Sequence, residues 1–268
     1  LRSIVGIFMF GIQTYFLSKA FSYLIRILIF NIEPSILDAE IFLFFLLGLN
    51  IIDWVSIIFT IVIQTFLFSS GMAFNKKLIK FSALTVYLGI LLFFFSIFLS
   101  DVKLYSKAFL VSLSIESFFN KSSIVPLISV MGTIFAYFSI IILTLGDFTR
   151  YVKNESELKK GNLSLILNLI IFSFLALFIV IGIDTLIKQN TENLPKILTN
   201  PTDIIGVLDN ILLTNLALVF IIIASASTNL IANFIPSQYT LINFAPSSLT
   251  LRSSSYIIAI LGFVVGVF

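Results

Sequence analysis

The amino-acid sequence predicts an all-α polytopic membrane protein, because apolar residues dominate it and are gathered into long runs. Hydrophobic residues fill 59% of its 268 positions and charged residues only 11%, whereas soluble proteins average about 45–50% and about 25%. The mean hydropathy is +1.14. A soluble fold of this size could not bury so much apolar surface, so we expect a lipid bilayer around the chain.

Seven apolar runs predict membrane-spanning helices, since about 20 mostly apolar residues cross the hydrocarbon core of a bilayer. We expect one transmembrane domain over residues 1–268, with spans at residues 3–30, 52–71, 81–99, 127–145, 163–187, 205–235 and 256–268. The sequence starts at Leu1 and ends inside the last apolar run. We therefore expect a piece of a longer membrane protein.

Two further apolar segments are predicted not to cross the membrane. Residues 36–49 are apolar, but they form a short run with acidic residues beside it, which favours an interfacial or re-entrant segment. Residues 104–119 include Lys107 and Glu116, which favours an amphipathic segment that lies on the membrane surface.

Lys and Arg residues are concentrated in alternate loops, and this pattern predicts on which side of the membrane each loop lies. Basic residues favour the cytoplasmic side. We therefore place in the cytoplasm the loops that hold Arg2, Lys76, Lys77, Lys80, Arg150, Lys153, Lys159, Lys160 and Arg252. The expected location is the cell membrane (inner or plasma membrane), which the chain crosses several times.

Residue types that the sequence lacks disfavour several kinds of chemistry. There is no Cys and no His, so thiolate metal sites are excluded and the commonest general base is missing. No glycine-rich phosphate loop or nucleophile–base pair is present, so we expect no enzymatic activity. Loop orientation explains the net charge of +3, which gives no reason to expect a nucleic-acid partner.

A polar stripe near the end of the sixth apolar run is the first candidate site. Asn229 and Asn233 are four residues apart and share one face of a helix. The Ser227 and Thr228 hydroxyls, with the Ala224 carbonyl, are hard oxygen donors of the kind that Na⁺ prefers. The amide of Asn233 suits a solute that carries an amide or imide group. Hydrogen bonds between helices are the alternative interpretation.

The first apolar run contains three residues that are unusual inside a membrane. Gln13 could pair with the N–H and C=O edge of a heterocycle, or it could bond to a neighbouring helix. Lys19 and Arg26 are seven residues apart and share a face. Charges within a span usually face protein or water, and Lys19 could pair with either Asp53 or Asp184.

An ordered set of motifs resembles the nucleobase:cation symporter-1 family, whose members import cytosine, uracil, allantoin, hydantoins and thiamine. The motifs are spread over most of the chain. They lie at residues 11–16, 48–54, 147–150, 227–233 and 243–246 and at Arg252. The resemblance implies a LeuT-type fold with inverted repeats, of which this chain holds the third to ninth helices and is incomplete at both ends. In such folds the substrate site lies between the repeats.

The resemblance also implies roles for particular residues. Gln13 and Asn233 match positions that hydrogen-bond the substrate ring, and Asn229 matches an amide nearer to structural support than to contact. Met9 and Phe138 stand where members with a hydantoin-type site stack the ring between two Trp side chains.

One half of the family's sodium site is matched by Ala224, Ser227 and Thr228. The resemblance thus implies a monomeric importer of a small heterocycle by cation symport, with Na⁺ favoured over H⁺ and no other cofactor. The alternative is a non-transporting membrane sensor or assembly subunit that keeps the fold, which the departures at Met9 and Phe138 favour slightly.

Overall fold

The computed structural model describes residues 2–112, 121–149, 152–190 and 211–268, and helices account for most of them. The helices are α1 Arg2–Ile32, α2 Glu40–Leu43, α3 Ile51–Phe68, α4 Met72–Ser100, α5 Val102–Ser112, α6 Lys121–Thr149, α7 Glu155–Asn190, α8 Ile211–Asn229, α9 Ile235–Phe244 and α10 Leu251–Val267. A 3-10 helix, Pro34–Asp38, and two short antiparallel strands, β1 Phe45–Leu46 and β2 Leu49–Asn50, connect α1 to α3. A π-helix, Leu230–Phe234, joins α8 to α9.

The prediction of an all-α polytopic membrane protein is confirmed. Among the described residues, five helical segments are long and apolar enough to cross a membrane, and they are Arg2–Ile32, Ile51–Phe68, Met72–Leu99, Glu155–Thr185 and Ile211–Phe244. The predicted fourth and seventh spans overlap two shorter apolar helical stretches, Ile124–Ala136 of α6 and Leu251–Val267. The LeuT-type arrangement and the single domain over residues 1–268 stay predictions.

Most predicted boundaries differ from the observed ones where a helix continues beyond its apolar core. Helix α4 begins at Met72 rather than at residue 81, and α7 begins at Glu155 rather than at residue 163. In α7 the extra turns carry charged residues that pair with each other, as Lys159 does with Glu155 at 2.9 Å. A span prediction follows hydropathy alone, so it misses polar turns that continue a helix.

The two segments that were predicted not to span are short in the structure. Residues 36–49 fall within the 3-10 helix, α2 and the two strands, each of which is much shorter than a membrane-spanning helix. Their place at the interface or as a re-entrant segment stays a prediction. Helix α5 covers Val102–Ser112, and the rest of the second segment, residues 113–119, lies outside the described part of the chain.

The chain divides into two units. The first comprises Leu1–Tyr87 with Leu208–Phe268, and the second comprises Leu88–Val207. In the second unit, Ile97, Tyr105, Phe178 and Ile183 are buried together. Tyr105 lies on α5 and Phe178 on α7, and their apolar contacts hold these helices together.

In the first unit α1 is the central helix, because it contacts α3, α8, α9 and α10. Glycines allow it to approach α10 closely. A Cβ atom added at Gly11 would lie 2.5 Å from the carbonyl oxygen of Gly262, and one added at Gly266 would lie 2.9 Å from that of Gly11. Gly262 and Gly266 are four apart, a spacing that favours close packing of helices in membranes.

Candidate functional site

The candidate site lies in the first unit, where polar residues of α1, α3 and α8 meet beside the π-helix. Three aromatic side chains, Phe10, Phe68 and Phe234, are almost fully buried next to it. The ring centroid of Phe234 lies 5.6 Å from that of Phe10 and 5.2 Å from that of Phe68. Hydrogen bonds are electrostatically stronger in such an apolar environment than in water.

The π-helix explains how the sixth span passes Pro236. Proline has no backbone N–H, and its ring clashes with the carbonyl of residue i−4 in a regular helix. Here the N–H of Ile235 donates to Leu230 O, five residues back, so the turn widens before the proline. The helical path therefore continues to Phe244, beyond residue 235, where hydropathy predicts the end of the span. Single π-turns are frequent at functional sites.

Asn229, at the end of α8, is the centre of a buried hydrogen-bond network. Its side chain is fully buried. The Nδ2 atom lies 2.9 Å from Gln64 Oε1, 3.0 Å from Thr14 Oγ1 and 3.3 Å from the backbone oxygen of Phe10. Gln64 Nε2 also donates to Thr14 Oγ1, at 3.1 Å. Asn229 thus ties together α1, α3 and α8.

The network continues through Asn233, which lies on the π-helix and is 4% exposed. Its Nδ2 atom donates to Asn229 Oδ1 at 2.9 Å and to Gln13 Oε1 at 2.8 Å. Gln13 Nε2 in turn donates to the backbone oxygen of Ser225 at 3.3 Å. The structure therefore brings together the two residues predicted to hold the substrate ring, and here they bond to each other.

Gln64 on α3 was missed by the sequence reasoning. It is 2% exposed and contacts both Thr14 and Asn229. A signal was present, because Asp53, Ser56, Thr60 and Gln64 follow each other at helical spacing and are all buried. This polar stripe on the second span resembles the one on the sixth.

The residues predicted to bind a cation form a cluster of three oxygen atoms on α8. Ser227 Oγ and Thr228 Oγ1 both donate to the carbonyl oxygen of Ala224, at 3.0 and 2.9 Å. Both hydroxyl oxygens keep lone pairs that can bind a cation. The cluster carries no formal charge, which fits an alkali cation better than a divalent one. The described residues contain no group of three or more His, Cys, Asp or Glu side chains placed to hold a metal ion.

The sequence left open whether Lys19 pairs with Asp53 or with Asp184, and the structure shows the pair with Asp53. Lys19 Nζ lies 3.4 Å from Asp53 Oδ2, and Arg26 Nη2 lies 3.8 Å from Asp53 Oδ1. Ser22 Oγ donates to the same Oδ1 at 2.6 Å. Asp53 also completes the capping box of α3 with Asn50. One carboxylate therefore faces two cations.

A family comparison identifies the class of protein. The family model described as "permease for cytosine/purines, uracil, thiamine, allantoin" matches residues 1–268. The chain belongs to this permease family. The resemblance to the nucleobase:cation symporter-1 family is thereby confirmed, and the prediction that the chain is not an enzyme is confirmed with it.

One curated relative of the permease is the "Purine-uracil permease NCS1" of Arabidopsis thaliana, which is 25% identical over 129 residues. The alignment covers 48% of this chain and 20% of the relative, so the matched part spans about a fifth of the length of that protein. No solved structure matches the permease.

Two residues that were predicted to flank the substrate ring remain to be placed. Met9 is half-buried on α1, one turn before Gln13. The side chain of Phe138, on α6, lies outside the part of the permease that the structure describes. The roles of Met9, Phe138, Gln13, Asn229 and Asn233 in binding therefore stay predictions, as do those of the three oxygen donors.

Proposed function

We propose that this permease imports a nucleobase or a related nitrogenous heterocycle by cation symport, with Na⁺ favoured over H⁺. One contact carries the proposal. Gln13 Nε2 donates to the carbonyl of Ser225, the residue that follows Ala224 in the oxygen cluster. A ring would be held by Gln13 and Asn233. A cation would be held by Ala224, Ser227 and Thr228. Both ligands would therefore contact neighbouring turns of one helical segment, or a side chain bonded to them.

This arrangement gives a physical route for coupling. Two ligands promote each other's binding when both favour the same conformation of the protein. A cation at the cluster would fix the Ala224 carbonyl and the turn that includes Ser225. That turn holds the amide of Gln13, so the ring would find its partner already oriented. Na⁺ is favoured because the three oxygens contain no titratable group that could carry a proton.

The proposal includes the finer expectations that the resemblance implies. The permease would act as a monomer in the cell membrane, with a LeuT-type arrangement of helices around a site near the middle of the bilayer. If a ring stabilises the purified protein but is not taken up by vesicles that contain it, the alternative of a membrane sensor or assembly subunit is favoured instead.

The joint replacement of Ser227 and Thr228 by alanine is expected to raise the Na⁺ concentration for half-maximal uptake by about tenfold or more. The expectation follows because each hydroxyl contributes an oxygen ligand, and bonds to charged groups contribute about 1.5–3 kcal/mol. Uptake of labelled nucleobases into vesicles that carry the natural protein, measured over a range of Na⁺ concentrations, tests this.

The matched control is Ser225→Ala, which keeps the backbone carbonyl that Gln13 contacts and should leave the Na⁺ dependence unchanged. Should the double variant take up substrate with the parental Na⁺ dependence, the cation is not bound at Ser227 and Thr228. If uptake responds only to a pH gradient, the coupling ion is H⁺ rather than Na⁺.

A further inference from the structure

A cavity of about 620 Å³ lies between α2, the two strands and the first turn of α3. Its walls include Phe44, Leu46 and Trp54, and every lining side chain except that of Glu40 is apolar or aromatic. Pockets that hold small organic molecules have volumes of about 300–1,000 Å³ and similar apolar walls. Trp54 precedes Gln64 by ten residues, or about 15 Å along α3, so this cavity is separate from the candidate substrate site.

A hydrogen bond and a tight turn hold the walls of the cavity in place. Trp54 Nε1 donates to the backbone oxygen of Leu46 at 3.2 Å. The two strands are joined by Leu47 and Gly48, whose φ angles of 53° and 77° are both positive, as type I′ hairpin turns require. The cavity is therefore formed before any ligand enters it.

The ring of Trp54 gives the cavity an attraction for cations. Because its indole N–H is engaged by Leu46, the ring has its face left for a ligand. The face of an aromatic ring is negative, and among the aromatic side chains Trp attracts an ammonium group most strongly. A purely apolar wall would not distinguish a cation from an uncharged molecule in this way.

Glu40 adds a carboxylate that none of the described residues neutralises with an ion pair. The sequence has no Lys or Arg from residue 27 to residue 75, whereas Glu33 and Asp38 lie in the same connection between α1 and α3. Asp53, the remaining acidic residue of this stretch, already faces two cations. The surroundings of the cavity are therefore negative, which attracts cations and repels anions.

We propose that this cavity binds an organic cation, whose ammonium group is attracted by Glu40 and the Trp54 ring and whose apolar part contacts Phe44 and Leu46. The inference adds a ligand site to the permease and does not depend on the proposed function. The ammonium group belongs either to a soluble amine or to the headgroup of a lipid. Both sources offer the same chemistry, and the experiment distinguishes them.

The test uses the natural protein in nanodiscs of digalactosyldiacylglycerol, a lipid that has neither a charge nor an ammonium group. The probe is benzyltrimethylammonium, and benzyl alcohol serves as a reference that keeps the benzyl group but is uncharged. Trp54 lines the cavity, so its fluorescence reports each titration, and Trp54→Phe gives the background. Benzyltrimethylammonium is expected to change the Trp54 emission until the site is saturated.

Glu40→Gln removes the charge and keeps the approximate size of the side chain. We expect it to weaken the binding of benzyltrimethylammonium by about fivefold, as for an ion pair at a protein surface, and to leave benzyl alcohol unaffected. Asp38→Asn is the matched control, because it removes a carboxylate of the same connection that does not line the cavity. It should change neither affinity by more than about 1.5-fold, since exposed charges are screened by salt.

Ile41→Lys tests the same inference without changing Glu40. Ile41 lines the cavity and is 61% exposed, so a longer side chain has room there. A like charge in the cavity should weaken the binding of benzyltrimethylammonium by at least about tenfold. Ile41→Met, which adds no charge, should bind this cation as the parent protein does.

Nanodiscs of phosphatidylcholine identify the source of the ammonium group. If a lipid headgroup occupies the cavity, the probe binds more weakly in phosphatidylcholine than in the galactolipid, whereas equal affinities assign the site to a soluble amine. The inference is overturned if benzyltrimethylammonium leaves the Trp54 emission unchanged, if Glu40→Gln weakens the cation and the alcohol equally, or if Ile41→Lys binds the cation as Ile41→Met does. None of these results bears on the uptake of nucleobases, so the proposed function stands or fails separately.

Discussion

Replacing Asp53 by asparagine is expected to destabilise the folded permease by about 2–3 kcal/mol. Two cations, Lys19 and Arg26, would lose the carboxylate that they share. Removal of one partner of a fully buried ion pair costs about 3–5 kcal/mol. Lys19 and Arg26 keep 29% and 34% of their side chains exposed, which reduces the cost. The position of these two cations in an apolar span raises the cost of losing their counter-ion.

This substitution removes the charge and keeps the shape of the side chain. An asparagine oxygen in place of Oδ1 can still accept from Ser22 Oγ. Its NH₂ group then replaces Oδ2, so the 3.4 Å bond from the N–H of Asn50 is lost, whereas the bond from the N–H of residue 53 to Asn50 Oδ1 still caps α3. Trp54, the single tryptophan of the sequence, is the next residue and gives a local fluorescence signal for thermal unfolding. The measurement requires purified protein in a lipid nanodisc.

Two controls make the result specific to the cluster. Glu33→Gln removes an exposed carboxylate and should change stability by no more than about 0.5 kcal/mol. Adding Lys19→Met to Asp53→Asn should restore part of the lost stability, because the pair is in contact and its energies couple. If Asp53→Asn melts at the same temperature as the parent, the carboxylate does not serve as the counter-ion of Lys19 and Arg26.

The membrane helices could be predicted from the sequence because a bilayer offers few alternatives. Backbone groups in hydrocarbon must bond within their own segment, so a long apolar run forms a helix. The end of the sixth span could not be predicted in the same way. Pro236 indicates a helix end by local rules, and nothing in the local pattern shows that a π-turn absorbs it.

The partners within the site depend on contacts between residues that are distant in the chain. Gln64 and Thr14 are 50 positions apart, and Asn233 and Gln13 are 220 apart. Helical spacing shows that such residues share a face, but it does not show which face of another helix they meet. For the same reason, Lys19 could be assigned to Asp53 only from the structure. The link between Gln13 and Asn233 was expected only through the family resemblance.

Replacing Gly11 by alanine is expected to destabilise the permease by about 1–3 kcal/mol, the usual cost of overpacking. A Cβ at this position would lie 2.5 Å from Gly262 O and 2.9 Å from Val265 Cβ. A backbone oxygen cannot turn aside as a flexible side chain can, so α1 and α10 must separate. Thermal unfolding of Gly11→Ala in nanodiscs measures the loss.

The matched control is Gly161→Ala on α7, where an added Cβ meets no atom within 4 Å. Alanine favours a helix over glycine by up to about 1 kcal/mol, so this variant should be as stable as the parent or slightly more stable. If Gly11→Ala is as stable as Gly161→Ala, the close approach of α1 to α10 does not limit stability. Gln13 lies two residues after Gly11 on the same helix, so a displaced α1 should also lengthen the contact between Gln13 and Asn233. Gly11→Ala is therefore expected to weaken ring binding together with stability, whereas Gly161→Ala should leave both unchanged.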